Sequence, residues 1–194
     1  MNTVTPLALA LALCASAAPA GGHANWTSVD ADSRVAFGSI KLDTVGEIHH
    51  FNGVSGTVSE AGALTVSIDL SSVETYIDIR NDRMMEHVFQ AGTASAVLTG
   101  EIDMAAVTDL AVGATTIMGV EGTLAFAAVE TDVETDMLVA RLGEDRVLVS
   151  TADFIILSTH DLGIDTGVDT LMELASLPGI TRVSPVAIRM VFEK

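Results

Sequence analysis

From Gly46 onward the chain is a succession of short runs in which apolar and polar positions alternate, separated by turn residues. The clearest run sets Leu64, Val66, Ile68 and Leu70 on one face and Thr65, Ser67 and Asp69 on the other. Period-two alternation is the signature of a strand with one buried face. Val54, Gly56 and Val58 precede it in the same rhythm, across the turn Glu60-Ala61-Gly62. Further strands are predicted at Ala94 to Ile102, with Ala96, Leu98 and Ile102 on one side, and at Ile117 to Val129, with Leu124 and Phe126 against Thr123 and Ala125. Met137 to Arg141 and Arg146 to Leu157 flank Gly143-Glu144-Asp145, a hairpin turn. Val186, Ile188, Met190 and Phe192 alternate with Ala187, Arg189 and Glu193 as a closing strand.

Two segments break the rhythm. Asp78 to Phe89 predicts a helix whose shared face carries Ile79, Met85, Val88 and Phe89. Asp169 to Leu177 has Leu171, Leu174 and Ala175 at helical spacing and stops before Pro178-Gly179. The expected fold is therefore mainly β: an antiparallel sheet of roughly eight strands with two short helices, closed into a barrel so that no edge is left open. An open sandwich is the alternative.

An eight-stranded barrel either fills its interior with side chains or holds one slender ligand. The inward candidates are medium or small and aliphatic, and the chain has only six Phe, one Trp and one Tyr. Such a lining suits an acyl or isoprenoid chain. A solid core satisfies the same alternation.

Charge narrows the partners. With 26 acidic against 9 basic residues the net charge is −17, which excludes the basic surface that nucleic acid demands. The first charged side chain is Asp30. Before it, Leu7 to Ala18 is an apolar run too short to span a bilayer, followed by small residues that offer cleavage after Ala17, Ala20 or Ala24. Residues 1–24 read as a signal peptide, residues 25–194 as one domain, and the expected location is periplasmic or secreted. Cys14, the single cysteine, lies in this leader behind Leu13, a poor lipobox, so the mature domain has no disulfide and no Cys-ligated metal. No integral membrane segment is expected, and a homodimer is compatible with the reading.

Several motifs resemble the YceI-like family of secreted lipid-binding proteins. Trp26, Asp30, Ser33, Val35 and Phe37 match its opening strand; Gly53, Val54 and Gly56 its second-strand signature; and Gly62 the turn. Ser72 and Thr75 match the segment before its helix, Arg80 the first position of its Arg-Asp-x-His-Leu pattern, and Phe89 the helix-ending aromatic. Gly122-Thr123-Leu124 and Asp161-Leu162-Gly163 resemble later signatures. Asn81, Arg83 and Met84 depart from the helix pattern, Thr93-Ala94 replaces a proline, and Ala127-Ala128 replaces a His-Gly. The resemblance implies an elongated lipocalin-like barrel with a polyisoprenoid, such as an isoprenoid quinone tail, in an apolar tunnel. The wall expected for it comprises Val35, Phe37, Val54, Val58, Leu64, Val66, Ile68, Leu98, Leu124, Phe126, Ile188 and Met190, with Arg80 and Arg83 as a polar mouth or as a brace that seals a barrel end.

Other constellations point elsewhere less well. His49 and His50 are neighbours on a strand and face opposite ways, so they cannot share a metal, whereas Glu47 and His49 share a face and keep a haem or metal reading open. Otherwise the histidines read as ordinary edge or mouth residues, with His160-Asp161 a structural element near a glycine turn. Gly53-Val54-Ser55-Gly56 lacks the spacing and the strand-to-helix setting of a nucleophile elbow. Glu130, Asp132, Glu134 and Asp136 crowd one face with negative charge, which reads as solvated surface because calcium loops also need carbonyl ligands and a tight glycine turn. The expectation is a non-enzymatic carrier with a lipid ligand and no cofactor or metal; a solid interaction module or a haem or metal protein are the alternatives.

Overall fold

A computed structural model describes residues 24–89 and 95–194. The leader, Cys14 and His23 lie outside the described residues, as does Ala94 at the head of one predicted strand.

Twelve β segments make a closed wall of eight strand positions, because several wall strands are interrupted. β1 (Ala24–Ser28) and β2 (Arg34–Lys41) are two halves of one strand, parted by a 3-10 turn at Asp30–Asp32. β3 (Val45–Phe51) and β4 (Val54–Ser59) are parted at Asn52-Gly53. β5 (Ala63–Asp69) continues into the short β6 (Val73–Glu74). β7 (Ser95–Glu101), β8 (Thr115–Phe126) and β9 (Val129–Gly143) are unbroken, while β10 (Arg146–Thr151) and β11 (Ile155–Ser158) again share one position. The last strand, β12 (Val183–Glu193), closes the ring. On one side it pairs Phe192 with Val147 of β10 and Val186 with Ile155 of β11. On the other it pairs Phe192 with Ser28 of β1 and Ile188 with Val35 of β2. All pairings among the described residues are antiparallel, and closure leaves only the short β6 and β11 paired on one side.

The alternation turns the apolar face inward throughout. Val54, Val58, Val66, Ile68, Ala96 and Leu98 are buried, as are Leu124, Phe126, Val133, Met137 and Val139 on the long β8–β9 hairpin. Glu130, Asp132, Glu134 and Asp136 all stand exposed on the outer face of β9, which starts at Val129, so the strand expected from Met137 begins eight residues earlier. The hairpin turn at Glu144-Asp145 and the turn at Gly62 are where the pattern puts them. Gly62 has φ +92°, and a Cβ there would sit 2.2 Å from the Ile102 carbonyl oxygen.

The helices depart from expectation in three ways. The first is not one helix: α1 (Asp78–Arg83) widens into a π turn at Met84–Val88, with the Phe89 N–H donating to the Met84 carbonyl at 2.9 Å. The extra residue per turn rotates the face. Met84, Val88 and Phe89 go inside, Met85 stays half-buried, and Ile79, expected inside, is 56% exposed. Second, the short α2 (Met104–Thr108) is unforeseen; Asp103 caps it by accepting from the Ala105 N–H, and it buries Val107. Third, α3 spans Asp165–Leu174, starting four residues before the expected Asp169 because Asp165 is held there by the Thr159 hydroxyl at 2.5 Å. Among the described residues no helix is long and apolar enough to cross a membrane.

The π turn and α3 pack backbone to backbone at one end of the barrel. A Cβ on Gly167 of α3 would lie 2.3 Å from the His87 carbonyl oxygen and 2.7 Å from the Val88 Cα. Helix propensity alone favours Ala over Gly by about 1 kcal/mol. Gly167→Ala is expected to reverse that sign and cost about 1–3 kcal/mol, since neither contact is a side chain that can move aside. Urea denaturation of the two proteins checks this, and a stabilised variant would show that the helices are not in close contact.

Candidate functional site

The inner wall of the β2–β3 hairpin is built by register. Val35 pairs with Phe51, Phe37 with His49, and Ser39 with Glu47, so these six side chains share the inward face. Four phenylalanines then cross the interior in series. Phe37 and Phe51 lie 5.2 Å apart, Phe51 and Phe89 5.7 Å, and Phe89 and Phe126 6.0 Å, the later pairs tilted or edge-on as the ring quadrupole favours.

Beside these rings, which help line it, the barrel is hollow. A cavity of about 470 Å³ lies between the wall, α1, the π turn and α3, and its volume falls in the range of ligand sites. A second apolar cavity of about 80 Å³ lies toward α2, beneath Trp26. Val66, Leu98 and Ile188 border both.

Of the twelve expected wall residues, Val35, Phe37, Val66, Ile68, Leu98, Leu124, Phe126 and Ile188 border the larger cavity. Val58, Leu64 and Met190 border the smaller one. Val54 borders neither: it is 1% exposed and packed into the core, so it is not a cavity residue. Arg80 and Arg83 both border the larger cavity. The wall also has contributors the strand pattern does not reveal, chiefly Met84, Val88 and Phe89 from the π turn and Val168 and Leu171 from α3. Ser39, Lys41, Glu47 and His49 join them, and their period-two register with Phe37 and Phe51 was the available signal.

These last residues form a polar patch with Arg80. Glu47 accepts from Lys41 Nζ at 3.0 Å and from Arg80 Nη1 at 2.9 Å. Burial pushes the Glu47 carboxyl up, but the two hydrogen bonds and the two cations outweigh it and hold the group below its usual range. Arg80 also donates to the Thr75 carbonyl at 2.6 Å, bracing the segment before α1. His49, 4% exposed, meets the Ser39 hydroxyl through Nε2 at 3.0 Å, while its Nδ1 and the Nε of Arg80 are buried without a partner. Burial, then the Arg80 cation, lowers the His49 pKa to about 4, so the ring is neutral at pH 7.

The metal alternative finds no support in this arrangement. Both Glu47 oxygens are taken by cations, and among the described residues no three His, Cys, Asp or Glu side chains converge. His49 and His50 do face opposite ways, but neither is an edge residue: His50 is buried on the outer side beneath Tyr76, ring centroids 5.6 Å apart. His160 stays exposed and pairs with Asp165 at 3.2 Å. Ser55 is exposed on the outer wall.

The neutral His49 makes stability depend on pH. Its ordinary value is 6.5 and its folded value about 4, so between these the folded chain binds fewer protons than the unfolded one. Stability is complete above about pH 6.5 and falls as pH drops toward 4, by at most about 3 kcal/mol. His50, lowered by burial and Arg34, adds in the same direction. His49→Gln is expected to remove more than half of the loss measured by urea denaturation at pH 7 and pH 4.5. A variant as acid-sensitive as the parent would place the effect elsewhere.

No family model matches the chain, and neither does any curated protein. Solved structures do. A polyisoprenoid binding domain from Saccharophagus degradans, implicated in plant cell wall breakdown, is 34% identical over 88% of this chain and 98% of its own, with a TM-score of 0.85. Burkholderia cenocepacia BcnA is 16% identical over 84% of this chain and 98% of its own, with a TM-score of 0.66. The Campylobacter jejuni YceI protein is 17% identical over 75% of this chain and 84% of its own, with a TM-score of 0.53. The last two share the fold. The first, a third identical over nearly its whole length and built on the same closed eight-stranded barrel, settles the matter: this chain belongs to the YceI-like family.

Proposed function

We propose that the protein binds and carries a long apolar lipid, an isoprenoid in the first instance, within its barrel, and does so after export to the periplasm. The observation that carries this reading is the cavity of about 470 Å³, bounded mostly by aliphatic and phenylalanine side chains, with polar groups on the β2–β3 wall, on α1 and at Thr159, Thr181 and Ser184. Apolar walls with a few placed polar groups are what a site for an amphiphilic chain needs. The polyisoprenoid binding domain of Saccharophagus degradans supports an isoprenoid over other lipids. The uncharged apolar leader supports export. Carriage without chemistry on the cargo is supported by the related binding domain, and the Ser39–His49 pair on the cavity wall has no carboxylate behind it, because His49 Nδ1 is without a partner.

Organic extraction of the purified protein followed by mass spectrometry is expected to release a prenyl-chain lipid. Val66 tests where that lipid lies, because it stands at the neck between the two cavities. In a filled core Val66→Phe would cost about 1–3 kcal/mol by overpacking. Into a hollow it should fold with the lipid-free stability of the parent, to within about 1 kcal/mol, and lose the co-purified lipid. An unfolded variant together with a parent that never carries lipid would show a solid barrel and end the carrier reading.

A further inference from the structure

The charged residues of this chain are sorted about the cavity against its overall composition. The sequence has 26 acidic and 9 basic residues, yet the charged residues bordering the larger cavity are three cations, Lys41, Arg80 and Arg83, and one anion, Glu47. The same helical segment that turns Arg80 and Arg83 toward the cavity leaves Asp78, Asp82 and Glu86 exposed. The cations gather at one end. Lys41 lies at the tip of β2, bridged to Ile180 beyond α3, and Arg80 and Arg83 belong to α1.

Their donors are not used up. Glu47 neutralises only one positive charge, and Lys41 has three N–H donors of which one meets Glu47. Arg83 makes a single long contact, 3.5 Å, to the Leu174 carbonyl. The Nε–H of Arg80 is buried without an acceptor, a costly state for a donor. Burial first and then the Arg80 cation keep His49 unprotonated on this wall, against the opposing charge of Glu47. A neutral head would leave this surplus uncompensated, and a cationic head would be repelled by it.

Resting on the carrier reading, we propose that this end of the cavity reads an anionic oxygen head, a carboxylate or a phosphate monoester, on the lipid whose tail fills the barrel. Lys41 and Arg83 supply the attraction, while Arg80 holds Glu47 and the Thr75 carbonyl. The charge sorting then has a purpose beyond solubility. An acidic outer surface repels anionic amphiphiles in bulk, and the mouth is the place that accepts them.

Matched pairs of probes with one tail and two heads test this. Delipidated protein is loaded with an uncharged naphthylamine dye, which is displaced in turn by oleate, oleyl alcohol, farnesyl phosphate and farnesol. The anion of at least one pair is expected to displace the dye at about tenfold lower concentration than its alcohol. A preference confined to oleate names a carboxylate as the head, and one confined to farnesyl phosphate names a phosphate. In the double variant Lys41→Met, Arg83→Met the gap should shrink below about threefold, and a thermal melt followed by circular dichroism shows that the variant is folded. Alcohols as potent as their anions in both pairs, or a gap that survives the double variant, would overturn the proposal and leave carriage intact. Failure of the dye and all four probes to bind would overturn carriage itself, and the head proposal with it.

Discussion

Everything in this molecule depends on β12 pairing along both of its sides. Its eleven residues serve four partners, β10 and β11 on one flank and β1 and β2 on the other. A barrel closed in this way satisfies the backbone without filling the middle, because hydrogen bonds run around the wall and demand nothing of the interior. The wall can therefore be complete while a cavity of about 470 Å³ persists inside it. A sandwich of two open sheets has no such freedom, since its faces must interdigitate to hold it together.

What keeps the interior from collapsing is the placing of its larger side chains. Four of the six phenylalanines form one row across the barrel, from β2 through the π turn to β8. Around those rings the cavity wall is mostly aliphatic, and the roof is α3 seated on the π turn through Gly167. The widened turn at Met84–Val88 permits this: it swings Met84 and Val88 inward and leaves the His87 carbonyl where Gly167 can approach.

The polar patch follows from the same wall. Alternation forces every second residue of β2 and β3 inward, polar or not, and near the hairpin tip those residues are Ser39, Lys41, Glu47 and His49. Lys41, Glu47 and Arg80 are only half-buried and pair with one another, while His49 is buried and stays neutral. The two atoms left without partners, His49 Nδ1 and Arg80 Nε, mark the place where the protein alone does not satisfy its own chemistry.

The sequence by itself determined the wall. Period-two alternation told which residues face in, and eleven of the twelve expected positions border a cavity, because in a strand each residue's face depends only on its neighbours' parity. Val54 shows the limit of that rule: parity says inward, but only packing says whether inward meets space or another side chain. The π turn, the early start of α3 and the meeting of Arg80 with Glu47 were decided by the tertiary structure. Two of these join residues distant in the chain, Gly167 to His87 and Arg80 to a strand 33 residues earlier, and no local pattern encodes such contacts; the start of α3 rests on Thr159, six residues before Asp165, in a loop without a periodic pattern. The hollowness itself belongs to this second class. It is a sum over all side chains that point inward, and one strand's alternation reads the same whether the barrel around it is full or empty.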